Sequence, residues 1–213
     1  MSTQTGRNVR IEVAATYSTP KVVTAVTKAS PGVATSTSHA MADATIGYFD
    51  DPTAGMDEIA GGAYSVDAPA TNTFNLEGED TTTFGTFTSG NFVPVATWAT
   101  LSVATGYSID GGAADTIDTT RLLDRIKQQE MGLLAAQTVN VDGFSDAQNA
   151  AVALLRAAAL VAGYVVVRMT LSNGERRIFR GQPSLPGEQM AVGQKATATL
   201  QFTVKGKVGM LPA

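Results

Sequence analysis

Val9, Ile11 and Val13 alternate with Arg10 and Glu12 near the start of the chain, the two-residue period of a half-buried strand. From Pro20 the texture changes to Thr, Ser, Gly and Pro, broken by apolar pulses at residues 22–26, 46–49, 63–66 and 73–76. These pulses predict the short strands of a separate module. Pro52 to Gly55 and Gly61-Gly62 supply its turns, because proline fixes φ at about −65° and glycine tolerates positive φ. The module ends near Gly90 to Pro94. Strand signals resume at Trp98 and run through Leu101, Val103, Tyr107 and Ile109 to a break at Gly111-Gly112, then an acidic-polar stretch, Asp115 to Thr120. The domain plan is therefore discontinuous, with residues 1–19 and 94–213 in one unit and 20–93 inserted.

Arg121 to Leu134 carries scattered apolar residues, Leu122, Ile126 and Leu133, beside charges and Gly132, and reads as a loop with at most one helical turn. A helix from Ser145 to Ala162 is better specified. Ser145 and Gln148 form a capping box, Gly163 follows the last turn, and Ala147, Ala151, Leu154, Ala158 and Val161 make one stripe with Leu155 beside it. Tyr164 to Leu171 and Glu175 to Gly181 flank Asn173-Gly174, the preferred two-residue hairpin turn. Ala196, Ala198, Leu200, Phe202 and Val204 then alternate with polar residues across a final strand. One helix beside an antiparallel sheet covers one sheet face and leaves the strand edges to neighbours. The expected fold is mainly β, a β-sandwich or half-barrel with one flanking α-helix, plus an inserted small all-β domain.

With 213 residues, 44% of them hydrophobic and 16% charged, there is material for one or two cores. No apolar run approaches the roughly 20 residues that cross a bilayer. The polar segment Met1 to Asn8 lacks a secretory core, which predicts a chain made and kept soluble in a cytoplasm. The absence of cysteine excludes disulfides, thiolate catalysis and cysteine-ligated zinc. A net charge of −4 argues against wrapping nucleic acid, which needs a basic surface.

Candidate chemistry is sparse. The sole histidine, His39, lies in a Ser/Thr-rich stretch without companions, so a turn or surface role outweighs zinc. Asp50-Asp51, Asp57-Glu58 and Glu79-Asp80 read as solvated turn acids, since adjacent side chains of an extended chain point apart. Asp110, Asp115 and Asp118 lack calcium-loop spacing and suit turns. Arg176, Arg177 and Arg180 alternate across a strand beside Glu175, which favours a solvated face or subunit contact over a phosphate site. No phosphate loop, nucleophile elbow or HExxH pair occurs. The sequence thus offers no catalytic, cofactor-binding or metal site, and an enzyme is not expected.

Ile117-Asp118-Thr119-Thr120, Met131-Gly132-Leu133, Val139 to Gly143, the helix to Ala159, and Asn173-Gly174 to Phe179-Arg180-Gly181 follow one another in an order that resembles the tail tube proteins, the major tail proteins of long-tailed (siphovirus-type) bacteriophages. The resemblance covers roughly Trp98 to Val208, with the first strand. Separately, Ser38-His39-Ala40, Gly55-Met56, Gly61-Gly62, Asn72 to Leu76 and Phe87 to Gly90 resemble a small β-module of phage structural proteins, with Ala40 where that module usually has glycine. The resemblance implies a virion protein whose homo-hexamer rings stack into the tail tube, meeting the tape measure, tail terminator and distal tail proteins. DNA would pass to the host through the lumen without specific binding, with no membrane involved. Within this reading Arg121 to Leu134 is the expected inter-ring contact, and the module decorates the outside. The ring protein of a contractile injection machine stays open as a variant of this reading, because the folds are related and sheath contacts leave no legible mark in the sequence. The competing class is a β-rich adhesion module recognising a cell-surface glycan, but only Tyr48, Tyr64, Trp98 and Tyr107 stand near the proposed recognition surface.

Overall fold

The computed structural model describes residues 8–213, without the side chains of 51–54. The polar start at 1–7 and the Asp51 carboxylate lie outside the described residues. In chain order the strands are β1 (Arg10–Tyr17), β2 (Lys21–Val23), β3 (Ala25–Val26), β4 (Val33–Thr35), β5 (Ile46–Ala54), β6 (Ala63–Asp67), β7 (Thr73–Leu76), β8 (Ser89–Thr100), β9 (Ala104–Asp110), β10 (Ala114–Asp118), β11 (Gln129–Leu134) and β12 (Thr138–Phe144). Helix α1 (Ala150–Leu160) precedes β13 (Val165–Thr170), β14 (Arg176–Pro183), β15 (Gly187–Gln189) and β16 (Thr197–Leu211). The fold is mainly β, a curled half-barrel with a single α-helix among the described residues.

One antiparallel ladder runs β3-β4-β7-β6-β5-β8-β1-β13-β14-β16-β12-β9, with β2 also on β8 and β15 also on β16. The hub is β8. Its second half pairs with β1, Tyr17 opposite Val95, while its first half pairs with β2, Lys21 opposite Phe92, and on the other edge with β5, Phe49 opposite Phe92. Pro94, which has no amide to donate, sits where one edge passes from β2 to β1, and its carbonyl accepts from Ser18 N at 2.8 Å. β1, central in the ladder, is buried on both faces. Glu12, which alternation assigned to the wet face, is buried there and accepts from Arg168 at 2.6 and 2.9 Å, with Arg10 at 2.8 Å. Two guanidinium partners offset the desolvation of that carboxylate.

Three apolar clusters fill the fold. The largest joins Val139, Val141, Phe179, Leu200 and Phe202 to Ala151, Val152 and Leu155 of α1. A second, with Phe49, Phe74 and Phe92 at its centre, lies among residues 23–92. A third bridges the two, placing Ile46 and Ala63 against Val166, Ile178 and Leu211. Glu77 with Arg176 at 2.8 Å and Glu79 with Lys207 at 2.9 Å tie the same junction electrostatically.

Five local expectations need correction. Helix α1 begins at Ala150, not Ser145. Ser145 instead follows β12 directly, its amide donating to Ala196 O and its hydroxyl to Glu188, so Asn149 becomes the N-cap and accepts from Ala151 and Val152. The buried stripe is Ala151, Val152 and Leu155; Leu154 and Ala158 are half-buried, while Val161 is exposed. The C-terminus is a Schellman turn in which Ala162, at φ 52°, holds the left-handed position, one residue before the expected glycine; Gly163 N reaches Ala158 O at 2.8 Å. The hairpin at Asn173-Gly174 has three loop residues. Leu171 O accepts from Gly174 N and Leu171 N donates to Glu175 O, so only Gly174, at φ 89°, is left-handed. Finally, residues 129–134 are a strand. Cross-strand bonding to β10, with Ile117 opposite Glu130, replaces the expected loop.

Two outcomes follow from α1. Leu155→Ala removes a fully buried side chain and lowers unfolding stability by about 3 kcal/mol, whereas Leu160→Ala, on the exposed side, changes it by less than about 0.5 kcal/mol; denaturant midpoints of the two variants check this. Ala162→Gly relieves a left-handed alanine and raises stability by about 0.5–1 kcal/mol, read as a rise in Tm.

Candidate assembly surfaces

Side chains with chemical potential are occupied within the chain. His39 is buried rather than at the surface. Met41 N donates to its Nδ1 at 3.1 Å, which assigns the proton to Nε2, and Nε2 donates to Thr73 O at 3.2 Å, with Phe74 edge-on at 5.3 Å. The neighbouring Ala40 takes φ 51°, the conformation its glycine counterpart in the resembling module would adopt freely. Among the turn acids, Asp80 is solvated and accepts from Thr82 N and Oγ1, bonds that hold its carboxyl below the usual range. Glu58 accepts from Gly85 N at 3.0 Å, and Glu79 is not solvated but buried against Lys207. Among the described residues no group of three metal-ligating side chains converges.

The arginine cluster is likewise taken up. Arg176 pairs with Glu77, Arg177 with Glu175 at 2.7 Å, and Arg180 stacks 3.9 Å from the Tyr48 ring and 5.1 Å from Tyr164. The aromatic residues considered for a glycan platform also have internal roles. Trp98 lies under Arg168 at 4.4 Å, and Tyr107 packs on the largest core. Tyr64 is buried and donates to Ile59 O, and burial pushes its hydroxyl well above the usual range.

What remains exposed is backbone edge and apolar side chain. The outer edges of β9 and β3 carry no further strand among the described residues. A groove of about 230 Å³, lined by Val9, Ile11 and residues 104–107, separates β9 from the start of β1, so the half-barrel stays open there. An unpaired edge of this kind is a template for another chain.

The ribbon β10–β11 projects from the end of β9 and β12, and Gly111 and Gly112, at φ 101° and 82°, turn the chain into it. Ile117, Leu122, Leu123, Ile126, Met131, Leu133 and Leu134 are all exposed on it, Leu123 to 94%. Its tip is nonetheless built. Asp118 accepts from Thr120 Oγ1 and N, which holds its carboxyl below the usual carboxylate range, and Thr120 Oγ1 accepts from Gln128 N at 2.9 Å. A depressed folded-state pKa contributes stability above the unfolded value and loses it as pH falls, so the tip keeps its geometry at neutral pH. The signal for β11 was present in the sequence, since Met131 and Leu133 alternate about Gly132. A second exposed set, Met190 and Val192, lies in the loop between β15 and β16 and was not anticipated. Apolar residues inside a Gly- and Pro-containing stretch that no core uses were its only mark.

No curated protein matches the chain. Residues 54–213, more than half of its length, match the family model described as phage tail tube protein, TTP, a span that takes in the ribbon, the helix and every later strand. The chain belongs to the phage tail tube protein family, a structural rather than catalytic family, which gives it a structural role in a phage tail.

Proposed function

We propose that six copies of the chain close into a ring and that rings stack into the hollow tube through which DNA leaves the virion. The ribbon β10–β11 carries this reading. Seven large apolar residues held on a structured hairpin contribute nothing to the chain's own core and suit a surface buried by association. The open edges of β9 and β3 support lateral closure, because a neighbour's strand completes an antiparallel ladder at no cost in new conformation. Head-to-tail contact around an axis makes a ring, and unlike top and bottom faces permit further stacking. The net charge of −4 suits a lumen that repels phosphate and lets DNA slide. In this arrangement residues 20–93 form a module on the outside, held in fixed orientation by the Ile46, Ala63, Ile178 and Leu211 contacts and two ion pairs. The tube meets the other tail proteins, tape measure, terminator and distal tail, at its lumen and ends.

Negative-stain electron microscopy of purified protein tests the reading. Tubes or six-fold rings are expected; discrete monomers at high concentration would refute it. The double variant Leu122→Asp, Leu133→Asp is expected to abolish stacking while leaving the unfolding free energy of the monomer within about 0.5 kcal/mol of the parent in denaturant titrations, since both sites are exposed.

A further inference from the structure

The ribbon and the loop 190–196 stand at opposite ends of one strand. At the first end of β12, Thr138 is opposite Asp110 and Thr203, where the chain passes into and out of the ribbon. At the other end Phe144 is opposite Thr197, and Gln189 pairs with the same Thr197, so the loop that follows overhangs the Phe144 end. The seven residues of the strand place the two ends about 20 Å apart. A ribbon pointing away from one end therefore has no access to the loop of its own chain.

The loop end is concave and partly apolar. A groove of about 390 Å³ is lined by Gln189, Met190, Ala191, Gln194, Lys195 and Thr197, with Val192 fully exposed beside it and Phe144 half-exposed, Lys195 Nζ lying 5.1 Å over its ring. Methionine suits such a site because its unbranched, polarizable side chain adapts to an incoming shape. The charges are also complementary. The ribbon tip bears Arg121, Arg125 and Lys127 against Asp118 and Asp124, whereas the loop end bears Asp142, Asp146 and Glu188 against Arg156 and Lys195.

We propose that the leucine-bearing tip of the ribbon of one copy seats in the groove beside Met190 and Val192 of a second copy stacked upon it. The inference rests on the stacked-ring reading and adds to it the surface that receives the ribbon. Each copy offers a tip at one end and a groove at the other, so copies in the same orientation satisfy both, and the contact repeats without self-closure. A partner of different sequence has no such reason to match both ends.

The chain contains no cysteine, so introduced thiols report only on the chosen positions. Leu123→Cys and Val192→Cys are prepared separately, mixed during assembly and treated with a short bismaleimide, with electron microscopy of the same samples. Linked dimers are expected to form in the mixture roughly 100-fold faster than in either variant alone, the difference between an enforced local concentration and free encounter. Tubes in which the mixture does not link, or in which either variant alone links as fast, overturn the seating and leave stacking intact. Absence of rings and tubes from the unsubstituted protein overturns both. Ile126→Cys replaces Leu123→Cys should the latter block assembly, with the same outcomes decisive.

Discussion

Every backbone amide and carbonyl withdrawn from water needs a partner, and this chain meets that demand with one antiparallel ladder passing through β8. Because β8 gives its first half to β2 and β5 and its second half to β1, the strands of residues 21–76 and those of the half-barrel are ordered by a single set of hydrogen bonds. The same constraint explains what is left over. A ladder that does not close has two edges, here β9 and β3, and a half-barrel whose gap runs between β9 and the start of β1. An edge is usually an aggregation hazard. In the proposed ring it is the site where a neighbour supplies the missing partner, so folding and assembly obey one rule at two scales.

The junction between the two halves adds a second constraint. Glu77 and Glu79 leave β7 toward Arg176 of β14 and Lys207 of β16, two strands that sequence alone does not connect to them. Apolar contact at Ile46, Ala63, Ile178 and Leu211 joins the same junction; Arg176 and Glu77 are both largely buried, which makes their pair worth more than a surface ion pair, whereas Lys207 keeps most of its side chain in water and its pair with Glu79 is worth less. The consequence is directional. Residues 21–79 are joined to the half-barrel by a shared strand, an apolar seam and two ion pairs, so their exposed surface holds a constant bearing relative to the free edges.

Legibility in the sequence tracked how local the deciding physics is. Period-two alternation located β1 and the buried side of β16, because Leu200, Phe202 and Val204 need only know which face is wet. It failed at Glu12, which is buried by strands more than 80 residues away that supply Trp98 and Arg168. Capping chemistry identified the helix but misplaced both ends. Ser145 was spent on the sheet and Glu188, leaving Asn149 to cap, and the left-handed turn fell on Ala162, where residue type gives no warning. For the assembly surfaces, the exposed character of residues 121–134 was legible, and the alternation of Met131 and Leu133 about Gly132 marked β11 without naming its partner, which is β10 across a ten-residue tip. The groove at 189–197 was invisible, because concavity belongs to no single residue.

A two-stranded ribbon without a packed face is at best marginal in water. Its persistence here rests on polar bonds at the tip, Asp118 to Thr120 and Thr120 to Gln128, rather than on Leu122, Leu123 or Leu133, which face solvent. The division of labour is informative. Hydrogen bonds fix the ribbon's shape before any partner arrives, which lowers the ordering entropy that association must offset. The apolar side chains then retain nearly their whole transfer free energy, roughly 25 cal/mol per Å² of buried area, for the contact itself. A chain built this way gathers Phe179, Phe202 and Leu155 into its own core, yet keeps its most hydrophobic exposed surface where a neighbouring copy covers it in the proposed tube.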